Sequence, residues 1–299
     1  MSGQMPAIHR RRGLNWGRIA LYVVCALVFL YLVAPILIVI PISFSSAMYL
    51  AFPPPGFSLQ WYQRYFGGTV WLGPTALSLQ IALVSAFFST LLGVPAAVGL
   101  VRGRFPGRSL INALALAPMI IPEIIFAVAV FYAFAAVHLV GNIQGLIIAQ
   151  VAVGIPFVVI NVSSALYGVD ERLERAAQSL GASPLRAFLS ITLPLIRPAV
   201  LAGALFAFLS SWDDLLVPLF LSGPTSVTLP LKMWQGLRDS IDPTVSAAST
   251  LLIVVSTLLL LGAQMLRHRQ ERIRTRPIAD LVPAPAATAE PAPQGAAAR

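Results

Sequence analysis

Long apolar runs separated by short polar intervals dominate this chain, and their lengths decide which elements they form. Six runs of roughly 23 to 28 residues each reach across a hydrocarbon core of about 30 Å as helices rising about 1.5 Å per residue. They occupy residues 19–42, 75–101, 110–137, 143–166, 199–221 and 244–266. The pattern predicts an all-α membrane protein of six transmembrane helices. One long polar interval interrupts the middle of the chain, residues 170–198, with the sequence DERLERAAQSLGASPLRAFLSITLPLIRP.

Within that interval Leu173, Ala176, Ala177 and Leu180 recur at i, i+3, i+4 and i+7, the spacing of one helix face. Gly181 follows where a helix closes through a left-handed residue. Ser183 and Pro184 read as an N-cap and first helical position, and Leu185, Phe188 and Leu189 form the next apolar stripe. This second helix is expected to end before Pro194, which cannot donate to the helical ladder. The prediction is two short helices joined by a glycine turn. The small Ala176 and Ala177 would let another protein's backbone come close. The alternative is an amphipathic pair lying on lipid headgroups.

The same interval resembles the EAA loop of inner-membrane permease subunits of binding-protein-dependent ABC importers. That family's pattern is Glu-Ala-Ala, three residues, Gly, nine residues, then Ile-x-Leu-Pro. Here Ala176, Ala177, Gly181, Ile191, Leu193 and Pro194 stand at the matching positions. Arg175 replaces the pattern's Glu, with Glu174 one residue earlier. The resemblance implies a cytoplasmic coupling loop over residues 167–198 that docks on an ATPase subunit. Its contacts would fall at Glu174, Arg175, Ala176, Ala177, Leu180, Gly181, Ile191 and Pro194. It further implies a second permease subunit in a heterodimer, cytoplasmic ABC ATPase subunits and a periplasmic solute-binding protein.

Composition agrees with a membrane protein: 58% of residues are hydrophobic and only 10% charged. The basic residues orient the spans. With the N-terminus in the cytoplasm, 17 of the Lys and Arg residues fall inside, and only Arg64, Lys232 and Arg238 fall outside. This asymmetry accounts for the net charge of +9 without nucleic acid as a partner. Residues 1–18 read as a basic cytoplasmic segment, and the first run is too long for a cleaved signal core. Residues 267–299 read as a cytoplasmic tail. Its basic part suits anionic membrane lipid, and its Ala/Pro-rich part from Pro283 is expected to be disordered. The single Cys25 lies inside the first run, where no intrachain disulfide is possible.

Between the first two runs, Pro53, Pro54, Pro55 and Gly56 forbid a helix. The following stretch, with Phe57, Trp61, Tyr62, Tyr65 and Phe66, reads either as an aromatic anchor at the outer interface or as a contact for a ligand-delivering protein. Its phrase PPPGFSLQWY resembles the polyamine-type permeases, as does the run from Trp212 through LLVPLFLSGP and TLPLKMW to IDP. The resemblance implies putrescine or spermidine as the solute, with another small solute as the alternative.

Carboxylates inside the apolar runs are the candidate transport chemistry, because an ionisable group at that depth needs a polar cavity or a partner. Pro118 and Pro122 should break the third run and place Glu123 in the first turn of a new half-helix, whose dipole favours an anion. Glu123 then contacts a transported cation or fixes the bundle by hydrogen bonding. In the fifth run Trp212, Asp213 and Asp214 sit about 21 Å from its inner end at 1.5 Å per residue. They read as a polyammonium contact combining charge and cation–π attraction, or as caps of an unwound segment.

Catalytic motifs are missing. The only lysine is Lys232, so no phosphate-binding GxxxxGK[ST] loop exists, and His9, His138 and His268 form no metal-ligand spacing. No cofactor is expected, and the chain cannot hydrolyse ATP itself. A self-sufficient secondary carrier using Glu123 or Asp213 and Asp214, and a non-transporting scaffold, are the competing readings. The carrier needs no docking helix pair, and for the scaffold the buried acids are an unexplained cost.

Overall fold

A computed structural model describes residues 16–239 and 241–274. In chain order the helices are α1 (Trp16–Ser43), α2 (Gln60–Phe66), α3 (Thr69–Arg102), α4 (Arg108–Ile120), α5 (Glu123–Ala135) and α6 (Ile143–Leu166). They continue as α7 (Arg172–Ser179), α8 (Pro184–Ala187), a π-helical turn (Phe188–Thr192), α9 (Leu193–Trp212), α10 (Leu216–Leu221), α11 (Leu229–Asp239) and α12 (Thr244–Arg274). The only strand-like pairing among the described residues is one bridge between Ser45 and Phe57. Five helical stretches are long and apolar enough to cross a membrane. The basic residues Arg10, Arg11 and Arg12 and the Ala/Pro-rich tail lie outside the described residues.

The third apolar run is a bent pair of helices, which together are long and apolar enough to make a sixth span. α4 and α5 meet at an angle of 110°. Ile121 is extended, the conformation a pre-proline residue prefers, and Pro122 has no N–H to continue the ladder. Glu123 accordingly opens α5, as the two prolines predict. The fifth run is also corrected. Its helix begins earlier, ends at Trp212, and is separated from α10 by a non-helical break over 213–215.

The helix after Ser183 does not stop before Pro194, contrary to expectation. The backbone from Pro184 to Trp212 stays helical because the π turn shifts the hydrogen-bond register: Leu193 N–H donates to Phe188 O, five residues back. Pro194 then occupies the first turn of α9, where a missing donor costs little.

The core lies where α3, α6 and α9 pack on one another. Apolar attraction between helices is weak in lipid, so close approach and polar glue matter more. A Cβ on Gly203 would meet the Val158 Cα at 2.8 Å, so only glycine admits α6 against α9 here. Buried Ser89 Oγ donates to Val151 O at 3.1 Å, joining α3 to α6. α1 packs against α12 and exposes most of its apolar surface, Tyr22, Phe29 and Tyr31 included.

The aromatic loop divides. Trp61 and Tyr65 are buried in protein and do not face an interface. Trp61 Nε1 donates to Ser45 O at 2.8 Å, and Tyr65 shares a 2.6 Å hydrogen bond with Thr75. Phe57 and Phe66 remain exposed. α2 therefore seals the N-terminal end of α3, while α7 and α8 lie at its C-terminal end, where Arg102 meets Glu174.

Candidate functional site

Two arrangements bring the sequence-predicted residues together. The first is the α7–α8 pair. α7 ends in a Schellman motif: Gly181 N–H donates to Gln178 O at 2.9 Å and Ala182 N–H to Ala177 O at 3.0 Å. Gly181 stands at φ +93°, the left-handed conformation that its position after Leu180 predicts. Ser183 caps α8 by accepting from Arg186 N–H at 3.3 Å, with Pro184 first in the helix.

The leucines of this pair point away from its own protein, while Phe188 is half-buried against the main core. Leu180 is 91% exposed and Leu185 68% exposed, and Leu173 and Leu189 are exposed beside them. Arg175 also lies at the surface, pairing with Glu171 one turn back at 2.9 Å. Ala176 is exposed and Ala177 half-buried. Glu174 points the other way. Its Oε1 accepts from Arg102 Nη1 at 2.6 Å and from the Thr192 hydroxyl. Ile191 is half-buried in the π turn, and Pro194 follows at the start of α9.

The second arrangement is a cavity of about 460 Å³ where α5, α6 and the end of α9 meet. Glu123, Asp213 and Asp214 line it together with Phe157 and Phe206. Each acid is placed by a helix break. Glu123 sits at the N-terminus of α5, Asp213 terminates α9, and Asp214 precedes α10. Glu123 and Asp213 are exposed, whereas Asp214 is buried. Asp214 Oδ1 accepts from Leu216 N–H at 2.8 Å and Val217 N–H at 3.4 Å, capping α10. Its Oδ2 accepts from the Nε2 of Gln150, a buried residue of α6. Capping and cavity lining are thus combined in Asp214, and Asp213 is the freer of the two acids.

Trp212 stands apart from this cavity. Its ring is 3% exposed in the main core, stacked on Phe208 with centroids 6.0 Å apart. The aromatic surface at the acids is the Phe157–Phe206 pair, 6.3 Å apart and inclined by 20°. Sequence reasoning missed those two rings, because phenylalanine in an apolar run carries no distinguishing signal. It also passed over Gln150, although an amide in the middle of an apolar span is such a signal. In the sequence Arg102 bears only on orientation, as one of the 17 basic residues on the inner side.

Residues 89–272 match the family described as binding-protein-dependent transport system inner membrane component. The spermidine/putrescine transport system permease protein PotC of Escherichia coli K12 is 33% identical over 248 residues, 83% of this chain and 94% of the relative. The putrescine transport system permease protein PotI of the same organism is 35% identical over 263 residues, 86% of this chain and 93% of the relative. Among solved structures, a bacterial ABC transporter involved in import of the acidic polysaccharide alginate superposes with a TM-score of 0.70. It is 18% identical and covers 87% of this chain and 99% of its own, a likeness of fold. With most of its length matched, the chain belongs to the binding-protein-dependent transport system inner membrane components and is a permease subunit of an ABC importer.

Proposed function

We propose that the chain forms half of the membrane path for a small polycation, a polyamine such as putrescine or spermidine. The observation that carries this reading is the single cavity lined by Glu123, Asp213 and Asp214. Carboxylates gathered in a low-dielectric surrounding repel one another, and a bound cation relieves that repulsion. A linear polyammonium suits the site through charge pairing, with the faces of Phe157 and Phe206 adding cation–π attraction. The names of the two relatives, which refer to spermidine and putrescine, support the same solute class.

ATP is hydrolysed on separate ABC ATPase subunits, which receive the exposed α7–α8 face through Arg175, Ala176, Ala177, Leu180 and Gly181. Glu174, Ile191 and Pro194 act behind that face. A second, different permease subunit completes the path, and a periplasmic binding protein delivers the solute. Residues 19–266 form the permease domain in the inner membrane. Residues 1–18 and 267–299 lie in the cytoplasm, an orientation supported by the distribution of arginines. ATPase closure rocks the helices between inward-open and outward-open states about the cavity.

Uptake of labelled spermidine by the reconstituted importer tests the solute class. Unlabelled putrescine should compete, and Asp213→Asn should raise KM about tenfold, the equivalent of one lost charge contact of about 1.4 kcal/mol. Equal competition by a neutral or anionic solute would overturn the polyamine assignment.

A further inference from the structure

Glu174, Arg102 and Thr192 come from three separate segments yet meet at one carboxylate oxygen. Arg102 is the last residue of α3, Glu174 lies in the first turn of α7, and Thr192 ends the π turn that leads into α9. The ionic partners are only 14% and 15% exposed at their side chains, and Thr192 is fully buried. The second nitrogen of Arg102, Nη2, is buried without a hydrogen-bond partner. That unpaired nitrogen is a cost that the Glu174 pair must outweigh, and a charge-assisted hydrogen bond shielded from water is among the stronger polar contacts.

The remaining contacts of α7 are weak by comparison. Its other ion pair, Arg175 with Glu171, is internal to the segment and open to solvent, where such pairs contribute little. Its apolar residues Leu173 and Leu180 are exposed. Among the described residues the Glu174 carboxylate is the only side chain of α7 hydrogen-bonded to the spans. The two helices it reaches, α3 and α9, pack on each other and on α6, and α9 is capped by Asp213 in the carboxylate cavity.

We propose that Glu174, Arg102 and Thr192 form a mechanical clamp that transmits displacement of α7 to α3 and α9. Glu174 is a positioning residue in this role, and its carboxylate faces the spans rather than the ATPase. The π turn belongs to the same device, because its widened register sets Thr192 against Glu174 while keeping the backbone continuous into α9. The inference rests on α7 being the ATPase-docking helix. It adds the route by which a push at that helix reaches the cavity.

Two measurements on the full chain separate the clamp from the docking role. The first is hydrogen exchange over residues 172–180 in the permease pair without ATPase. Glu174→Gln and Arg102→Gln should each speed exchange about tenfold, the opening gained when a charge-assisted hydrogen bond is lost. Unchanged exchange in both would overturn the clamp. This readout does not depend on ATPase docking, so a failure of parental recruitment would sink the docking reading alone.

The second measurement is solute transported per ATP hydrolysed in proteoliposomes holding the whole importer. Arg102→Gln should retain the co-purifying ATPase but lower this ratio about tenfold. The exchanged pair Arg102→Glu with Glu174→Arg should recover at least half of the parental ratio, which loss of fold would not allow. A parental ratio in Arg102→Gln, or loss of the ATPase in proportion to loss of transport, would overturn the proposal.

Discussion

Gln150 and Asp214 are joined across the bundle: the buried amide of α6 donates to the carboxylate that caps α10. This bond fixes a break in the fifth apolar run against a continuous helix. The other oxygen of Asp214 is occupied by the first amides of α10, so both sides of the carboxylate are engaged. The break is a built feature that aims Asp213 into the cavity.

Replacing Gln150 by Leu should therefore destabilise the permease by about 1–3 kcal/mol, the cost of leaving a buried charged acceptor without its donor. Thermal unfolding of the detergent-solubilised pair would reveal the loss. Gln150→Glu should be worse, since it sets a second carboxylate against the first.

The two adjacent aspartates should separate in their effects. Asp214→Ala removes a helix cap and should cost about 1 kcal/mol of stability, together with transport. Asp213→Ala should leave the unfolding temperature within a degree or two of the parent while weakening solute uptake. A comparison of melting curves with uptake kinetics tests both.

Gly203 offers a purely steric test. A methyl group there would approach the Val158 backbone at 2.8 Å, and backbone cannot rotate away as a side chain can. Gly203→Ala should cost about 1–3 kcal/mol through overpacking, read as a lower melting temperature. Gly262→Ala, whose added carbon meets nothing within 4 Å, is the matched control.

Much of this architecture was legible because apolar run length and proline position are local properties. The break before Glu123 follows from Pro122, and the turn at Gly181 follows from the stripe ending at Leu180. Run length cannot report direction, however, so the 110° bend between α4 and α5 was hidden. Pro194 misled because its missing donor is absorbed by a change of helical register, and a π turn leaves no mark on apolar spacing. Trp212 and Phe206 lie six positions apart on one helix, and only packing decides which ring meets the cavity. The partnership of Glu174 with Arg102 spans residues 72 apart, beyond any local pattern.

The α7–α8 turn is the point at which the whole account is most exposed. Gly181→Pro replaces φ +93° by the fixed negative φ of proline and removes the N–H bonded to Gln178 O. The added strain is about 1–2 kcal/mol or more and is confined to a loop outside the spans. The decisive measurement is ATP-dependent uptake of labelled spermidine or putrescine in vesicles holding this chain with its partner permease, ATPase and binding protein. The parent should require ATP, and Gly181→Pro should insert normally but lose both transport and the co-purifying ATPase. Transport without any ATPase, or a variant that behaves as the parent, would contradict the account and return the chain to the reading of a self-sufficient carrier.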